Sequence, residues 1–220
     1  MSENEKQGSI TRRGFLKGAG VTAAGSLILE QAQVLNREAH AAIRENQTLG
    51  PHAIPITLLI NGQSHKVTVE PRATLAETLR DHLDLTGTKV VCDRGSCSAC
   101  TVWLDKVPAL ACMTLAVDVG KREVTTIEGL ADGEHLHPLQ AAFVKHDALQ
   151  CGFCTSGMIM SCAALLERNP NPTLGDVKHA VSGNLCRCAS YPKVFSATLD
   201  AAANSRNLAQ ISGTRAEREA

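Results

Sequence analysis

The sequence predicts an α+β fold in which a strand-rich part precedes a helical part. From Ile54 to Ile60 the apolar side chains occupy every second position, which is the period of a half-buried strand. Beyond Gly133 they recur at the spacing of amphipathic helices. The chain has 220 residues, 44% of them hydrophobic and 20% charged, which is enough for two small domains with buried cores. We expect these domains at residues 54–132 and 133–203.

The composition argues against binding to nucleic acid or to a charged membrane surface. The 22 basic and 22 acidic residues cancel to a net charge of zero, so no excess of positive charge is available for phosphate groups. Six aromatic residues are too few to form stacking platforms for single-stranded nucleic acid. We also expect no integral membrane span.

Residues 1–41 have the organisation of an export signal. A basic start is followed by an apolar run over residues 18–29, which is too short to cross the ~30 Å core of a bilayer. The segment Thr11-Arg12-Arg13-Gly14-Phe15-Leu16-Lys17 resembles the twin-arginine signal, an address that is read by a receptor. Ala39-His40-Ala41 has a small-x-small cleavage pattern. The sequence therefore predicts a periplasmic protein.

A β-hairpin and a helix are the first elements expected after a polar linker over residues 42–53. The predicted strands are Ile54–Ile60 and His65–Glu70, and the Asn61-Gly62 pair between them favours a type I′ turn. Thr74 and Glu77 form a capping box that predicts the start of a helix. One face of this helix would carry Leu75, Leu79, His82 and Leu83.

The middle of the chain is expected to be a loop followed by short strands. The loop, over residues 86–100, is rich in glycine and cysteine. A strand is predicted at Thr101–Leu104, and further short strands are expected before Gly129.

Four helices are expected in the second part. Their predicted bounds are Pro138–His146, Thr155–Glu167, Leu174–Val181 and Pro192–Ala203. Thr173 is the expected N-cap of the third helix. His137, which precedes Pro138, is expected to stand at the start of a helix and not to bind a metal. The polar residues 204–220 are expected to be disordered.

The chain contains nine cysteines, an odd number that cannot all pair as disulfides. Cys92, Cys97 and Cys100 have the spacing C-x4-C-x2-C, and Cys112 follows after eleven residues. This spacing is typical of plant-type [2Fe–2S] clusters, in which four thiolates hold two irons. Small residues between Cys92 and Cys100 allow backbone N–H groups to approach the sulfurs.

A second quartet consists of Cys151 and Cys154, spaced C-x2-C, with Cys186 and Cys188, spaced C-x-C. Each pair lies near the end of a predicted helix, so two helix termini can present four thiolates to one cluster. Cys162 remains. It lies in an apolar run and is expected to be a small buried hydrophobe.

Zinc and disulfides are the alternative interpretations of these cysteines. C-x2-C spacing is also common in zinc sites, so the second quartet alone is compatible with zinc. Disulfides fit export to an oxidising compartment, but Cys186 and Cys188 are too close in sequence for an easy bridge to each other. The twin-arginine route moves folded proteins, so clusters assembled in the cytoplasm are compatible with export.

Several further motifs occur in order between residues 56 and 203. They are Gly87-Thr88-Lys89, Cys92-Asp93-Arg94-Gly95-Ser96-Cys97, Cys100-Thr101-Val102, Thr125-Thr126-Ile127-Glu128-Gly129-Leu130, His137-Pro138-Leu139-Gln140, Gln150-Cys151-Gly152-Phe153-Cys154-Thr155 and Gly183-Asn184-Leu185-Cys186-Arg187-Cys188. Together they resemble the iron-sulfur subunit or domain of the molybdenum hydroxylases, the xanthine oxidase and aldehyde oxidoreductase group. With the export signal, the nearest resemblance is to the small subunits of periplasmic aldehyde oxidoreductases.

The resemblance implies a β-grasp, ferredoxin-like domain followed by a four-helix-bundle domain, each with one [2Fe–2S] cluster. It implies that the two cysteine quartets are the ligands, and that Gln150 and Cys188 approach the pterin of a molybdenum cofactor. That molybdopterin-type cofactor would be held by a large partner subunit. Electrons would pass from it through the helical-domain cluster and then the other cluster to FAD, usually on a medium-sized partner subunit.

Five residues at four places depart from the pattern usual in this family. Ser98 and Ser190 replace glycines, and serine would cost on the order of 1 kcal/mol wherever φ must be positive. Asp105-Lys106 replaces a common Asn-Gly turn, which predicts a wider turn. Ser156 replaces a frequent proline. We expect these changes to affect cluster potentials rather than cluster binding.

The leading hypothesis is an electron-transfer subunit of an exported complex that oxidises an aldehyde to a carboxylic acid on a partner subunit. The same role in a complex acting on an N-heterocycle, of the isoquinoline or nicotinate type, or on carbon monoxide is an alternative. A secreted binding module stabilised by zinc or disulfides is an alternative of a different class.

Overall fold

A five-stranded mixed sheet forms the first part of the computed structural model, which describes residues 50–204. The strands are β1 (Ile54–Ile60), β2 (Gln63–Val69), β3 (Thr101–Leu104), β4 (Val107–Leu110) and β5 (Glu123–Thr125). Their order across the sheet is β2-β1-β5-β3-β4. β5 runs parallel to β1 and antiparallel to β3. The export signal, most of the linker and the polar tail beyond residue 204 lie outside the described residues.

Two hairpins in this sheet have tight two-residue turns. Asn61 and Gly62 have φ of 50° and 76°, which confirms the predicted type I′ turn. Asp105 and Lys106 also have positive φ, 50° and 65°, and join Leu104 directly to its partner Val107. The expectation of a wider turn was therefore wrong. Asp105 tolerates this conformation because its carboxylate accepts a hydrogen bond from the backbone N–H of Glu123, at 2.9 Å.

The helix predicted at Thr74 forms, although its second turn is not α-helical. α1 (Leu75–Glu77) starts with the expected capping box between Thr74 and Glu77 and continues as π-helical turns over Thr78–His82. Leu75 and Leu79 are fully buried. His82 is exposed, in contrast to the prediction, because the wider π-turns change the angular spacing of the side chains.

Four α-helices lie between residues 133 and 204, in the predicted order. They are α2 (Pro138–Lys145), α3 (Thr155–Arg168), α4 (Leu174–Ala180) and α5, over residues 191–204. His137 caps α2, since its Nδ1 accepts a hydrogen bond from the N–H of Leu139 at 3.2 Å. Thr173 caps α4, as predicted. The α+β class is confirmed. In residues 50–204 no helix is both long and apolar enough to cross a membrane.

Trp103 joins the sheet to the helical part. One core lies between the sheet and α1, while a second core lies among the helices and includes the side chain of Trp103 from β3. Its indole Nε1 donates a hydrogen bond of 2.9 Å to the carbonyl of Met160 in α3. α3 also packs against β3 and β4. The loops at the ends of β3 and α3 are therefore held against each other by a buried aromatic anchor.

Candidate iron-sulfur sites

The β3–β4 hairpin brings the first cysteine quartet together. Cys92 and Cys97 lie in the loop before β3, Cys100 immediately precedes β3, and Cys112 lies in a 3₁₀ turn, Ala111–Met113, just after β4. The N–H of Ala111 donates to the carbonyl of Cys100 at 3.2 Å and so extends the hairpin ladder. The tight turn thus places Cys100 beside Cys112.

The four sulfurs of this quartet are arranged as two contacting pairs. Cys97 is near enough to Cys92 to lower the pKa of its thiol, and Cys112 is near enough to Cys100 to raise the pKa of that thiol. Cys97 also lies close enough to Cys100 to interact with it electrostatically. Two pairs of sulfurs are what a binuclear cluster requires, because four thiolates are shared between its two irons.

The loop backbone supplies hydrogen bonds to the sulfur of Cys92. The N–H of Ser96 donates to Cys92 Sγ at 3.3 Å. Hydrogen bonds from backbone N–H groups, that of Arg94 foremost, lower the pKa of Cys92 to about 7. Positive φ angles at Asp93, Gly95 and Ser98 turn the backbone repeatedly in this loop, an arrangement that makes concave anion sites. The loop therefore favours thiolates, as the small residues in it predicted.

Burial has the opposite effect on Cys100. Desolvation raises the pKa of its thiol to about 12, because a thiolate is poorly solvated inside the sheet core. Binding of iron must therefore displace a proton from this side chain.

The second quartet is formed by the loop before α3 and the loop between α4 and α5. Cys188 Sγ lies 3.5 Å from Cys151 Sγ, and Cys154 and Cys186 are near enough to shift each other's pKa. These sulfurs also form two pairs. The pKa of Cys154 is raised to about 12, mainly by burial and secondly by the neighbouring Cys186.

Tyr191 and the backbone near it hold the Cys186 loop in shape. The Tyr191 hydroxyl accepts a hydrogen bond from the N–H of Cys186 at 2.8 Å and donates one to the carbonyl of Asn184 at 2.9 Å. Burial raises the pKa of Cys186, but hydrogen bonds from the N–H of Ser190 and from Cys154 outweigh burial, so the pKa is lowered overall.

Only one of the two serines that replace family glycines adopts a left-handed backbone. Ser98 has φ of 55°, whereas in the second loop the positive φ of 59° falls on Ala189 and not on Ser190. The backbone strain that was expected at Ser190 therefore falls on Ala189.

The loops that carry the two quartets are in direct backbone contact. The N–H of Leu185 donates to the carbonyl of Cys97 at 3.0 Å, and the side-chain amide of Asn184 donates to the carbonyl of Ser98 at 3.1 Å. A Cβ atom on Gly157 would lie 2.1 Å from the same Ser98 oxygen. Only one residue step and one hydrogen bond separate Cys186 from Cys97.

Gly157 and Asn184 were not identified from the sequence as positioning residues. Gly157 lies in the first turn of α3, where glycine costs about 1 kcal/mol relative to alanine. A glycine at this helical position was the sequence feature that could have indicated a close backbone contact. Nothing in the local sequence of Asn184 indicates that its amide reaches residue 98.

Exposed Gln150 and half-buried Cys188, the two residues expected to approach the pterin, lie next to each other. The side-chain amide of Gln150 donates a 3.5 Å hydrogen bond to the carbonyl of Cys188, and the Cys151 side chain beside them is exposed. Phe153 and Leu185, which are 60% and 58% exposed, add an apolar surface next to this quartet.

Cys162 is separate from both quartets. It is fully buried in the helical core, and burial raises the pKa of its thiol to about 11. The prediction of a small buried hydrophobe is confirmed.

The donor sets of both quartets, four cysteine sulfurs each, fit a binuclear iron-sulfur cluster. Within residues 50–204, no three or more His, Cys, Asp or Glu side chains converge as a single metal ion requires. The sulfurs meet in pairs instead. Thr155 and Ser156, the two residues after Cys154, each carry a buried hydroxyl that has no hydrogen-bond partner in the described structure.

Comparisons with known proteins agree with this geometry. The chain matches the model for a 2Fe-2S iron-sulfur cluster binding domain over residues 58–117 and that for a [2Fe-2S] binding domain over residues 126–199. It is 40% identical over 209 residues to the aldehyde oxidoreductase iron-sulfur-binding subunit PaoA of Escherichia coli, with 88% of this chain and 89% of that protein covered.

A second relative and a crystal structure extend the comparison. The nicotine 6-hydroxylase small subunit of Paenarthrobacter nicotinovorans is 48% identical over 148 residues, covering 67% of this chain and 89% of that protein. A chain of quinoline 2-oxidoreductase from Pseudomonas putida superimposes with a TM-score of 0.68 at 42% identity, covering 71% of this chain and 98% of that one.

Replacing Gly157 with alanine should force the two cysteine loops apart. The added Cβ would overlap the Ser98 carbonyl, and overpacking of this kind typically costs about 1–3 kcal/mol. Gly175→Ala in α4 is the matched control, because the nearest atom to its Cβ, Thr173 Oγ1, is 3.5 Å away. Thermal unfolding should show a lower melting temperature for Gly157→Ala and an unchanged or higher one for Gly175→Ala. Equal melting temperatures would contradict the close approach.

Proposed function

We propose that this chain conducts electrons within an exported complex that oxidises aldehydes to carboxylic acids. The chain belongs to the family of iron-sulfur subunits of the molybdenum hydroxylases, and this membership is the starting point of the proposal. The observation that carries this proposal is the backbone contact between the two cysteine quartets. A chain that only stored two metal centres would not need them joined by one hydrogen bond.

We infer that residues 54–132 form the ferredoxin-like β-grasp domain and residues 133–203 the four-helix-bundle domain. Each would bind one [2Fe–2S] cluster, through the following cysteines: Cys92, Cys97, Cys100 and Cys112 in the first domain, and Cys151, Cys154, Cys186 and Cys188 in the second. When bound, the clusters supply one-electron redox chemistry. The chain itself contributes paired sulfurs, backbone N–H donors that favour the thiolate form of Cys92 and Cys186, and burial that excludes water.

The proposed direction of transfer runs from the helical domain to the ferredoxin-like domain. Electrons from a molybdopterin centre on the large subunit would reach the Cys154 and Cys186 site first. The hydrogen bond from the Leu185 N–H to the Cys97 carbonyl supports onward transfer, because it continues the covalent path from Cys186 toward the first quartet. FAD on a medium-sized subunit, or another acceptor, would receive the electrons.

Exposed apolar side chains support two partner surfaces. Phe153 and Leu185 flank the exposed Cys151, and we assign this surface to the large molybdopterin-binding subunit, with Gln150 and Cys188 toward the pterin. Val91 and Met113, next to Cys92 and Cys112, are also exposed, and we assign them to the FAD-binding subunit. Large apolar groups left in solvent commonly mark such interfaces.

The aldehyde assignment competes with oxidation of an N-heterocycle. Similarity to an aldehyde oxidoreductase subunit over 88% of the chain favours the aldehyde. The nicotine 6-hydroxylase subunit and the quinoline 2-oxidoreductase chain favour an N-heterocycle. The substrate is bound by the large subunit in this proposal, so assays of the purified complex with an aromatic aldehyde and with quinoline distinguish the two.

Loss of one cysteine ligand should remove one cluster and leave the other. The native chain should contain about four irons and four acid-labile sulfides, two per cluster. Cys97→Ser should abolish one of two paramagnetic resonance signals and block electron flow to the final acceptor, while substrate still reduces the remaining cluster. Cys162→Ala, a change at a cysteine outside both quartets, should keep both signals. Two intact signals in Cys97→Ser, or zinc in place of iron in the native protein, would contradict the ligand assignment.

Truncating Gln150 should slow the first electron transfer without removing a cluster. Gln150→Ala deletes the side-chain contact with Cys188 and the proposed contact with the pterin, each worth roughly 1 kcal/mol. Rapid mixing with substrate should therefore show cluster reduction slowed about thirtyfold, the change that roughly 2 kcal/mol corresponds to. Gln63→Ala, on an exposed strand of the sheet, should behave as the native protein. An unchanged rate in Gln150→Ala would remove this residue from the pterin contact.

Export should depend on the paired arginines. Replacing Arg12 and Arg13 together with lysine keeps the positive charge but removes the side chains that define the twin-arginine signal. Cell fractionation should then find the protein in the cytoplasm, whereas Lys6→Arg should leave delivery to the periplasm intact. Periplasmic protein in the double variant would refute this route.

A further inference from the structure

A 3₁₀ turn near the boundary of the two proposed domains binds the segment that leads to Cys92. The turn, Ile127–Leu130, follows β5. The Glu128 carboxylate in it accepts a hydrogen bond of 2.7 Å from the backbone N–H of Gly87 and one of 2.6 Å from the Thr126 hydroxyl. Each carboxylate oxygen thus receives one donor. Glu128 therefore connects the turn to a backbone group 41 residues earlier in the chain.

The turn itself is anchored on both the helices and the sheet. Ile127 and Leu130 pack against the core among the helices, and the turn lies against α3. Asn61, in the β1–β2 turn, accepts a hydrogen bond of 2.9 Å from the Thr126 N–H and donates one of 3.0 Å to the Thr126 hydroxyl. Thr126 is fully buried. The position of the Glu128 carboxylate is therefore fixed from two sides.

Gly87 approaches this turn so closely that no side chain fits there. A Cβ atom on Gly87 would overlap Cγ2 of Ile127 and would lie 2.6 Å from Oε1 of Glu128. A larger residue would have to move either the turn or the Gly87 backbone. The short hydrogen bond to Glu128 thus depends on glycine at this position.

Arg80 holds the same segment through its carbonyl groups. The guanidinium donates hydrogen bonds of 2.8 Å to the carbonyl of Thr86 and of 3.0 Å to that of Thr88. Residues 89–91, which follow, make no backbone hydrogen bond to any other part of residues 50–204. Thr88 is therefore the last backbone anchor before Cys92.

The far end of the cysteine loop is tied to the helical part as well. There the Leu185 N–H donates to the Cys97 carbonyl at 3.0 Å. Cys92 lies between the two ties, and it is half-buried whereas the other three cysteines of the first quartet are buried. Its position therefore depends on both ties, and Glu128 belongs to the upstream one.

We propose that Glu128 is a positioning residue for the cluster of the first quartet, because its carboxylate fixes the Gly87 N–H and so restrains the backbone that carries Cys92. The inference rests on the proposed function, since it requires that cluster. A hydrogen bond from an N–H group to a carboxylate is stronger than one between neutral groups. Without it, the entropy cost of ordering the segment falls on iron binding by Cys92.

Amide hydrogen exchange tests the restraint directly. Mass spectrometry of the full chain should show the Gly87 amide exchanging about tenfold faster in Glu128→Ala, since Glu128 is exposed and its bond lies at the low end of the range for charged acceptors. Glu128→Gln keeps a side-chain oxygen that accepts from Gly87 and should exchange as the native protein does. Glu134→Ala removes another exposed glutamate and is the matched control.

Iron loss tests the consequence for the cluster. The purified complex is treated with an excess of an iron chelator, and the two paramagnetic resonance signals are followed in time. In Glu128→Ala the signal that Cys97→Ser removes should decay about tenfold faster, while the other signal decays at the native rate. Gly87→Ala should have the same effect as Glu128→Ala. Glu128→Gln and Glu134→Ala should keep both native rates.

Three results would overturn the inference. They are an unchanged decay of the first signal in Glu128→Ala, an equal acceleration of both signals, and a Glu128→Gln variant that loses the first cluster as fast as Glu128→Ala. Should Glu128→Ala not fold, Glu128→Asp replaces it, because the shorter side chain does not reach Gly87 from the same backbone. Native protein without iron refutes the proposed function, whereas native protein with both signals and one of these three results refutes only this inference.

Discussion

The close approach of two backbone segments is the constraint on which the rest of the molecule depends. Gly157 lies where any side chain would meet the Ser98 carbonyl, and the Leu185 N–H completes the contact by bonding to Cys97. The hydrogen bond from the Trp103 indole in β3 to α3 holds the elements that carry these loops against each other. Packing of the two cores therefore determines how far apart the quartets lie, and the proposed electron transfer between them would depend on that separation.

Negative charge at sulfur explains the unusual backbone of both loops. Thiolates and sulfides need hydrogen-bond donors, and inside a protein backbone N–H groups supply them. Left-handed residues at Asp93 and Gly95 directly precede Arg94 and Ser96, whose N–H groups are directed at Cys92. Burial acts in the opposite sense at Cys100 and Cys154, whose raised pKa values make metal binding release protons. Each quartet thus combines stabilised and destabilised thiolates.

The departures from the family pattern had different consequences in the structure. Asp105-Lys106 forms a tight turn because a carboxylate of the turn bonds to the neighbouring strand β5, which local sequence could not indicate. Ser98 carries backbone strain, but the strain expected at Ser190 falls on Ala189. His82 left the predicted helix face because π-turns changed the spacing. Local patterns identified these elements correctly, and at Asp105-Lys106 they failed because a partner distant in sequence decided the conformation.

Sequence alone determined the α+β class, the order of strands and helices, the capping residues Thr74, His137 and Thr173, and the division of eight cysteines into two quartets. Such features depend on periodicity, caps and short spacings, which are local properties of the chain. Only the tertiary structure decided which sulfurs pair, that Asn184 and Gly157 hold the two loops together, and that Ser156 is buried without a partner. Those properties depend on contacts between residues far apart in sequence, so no local pattern encodes them.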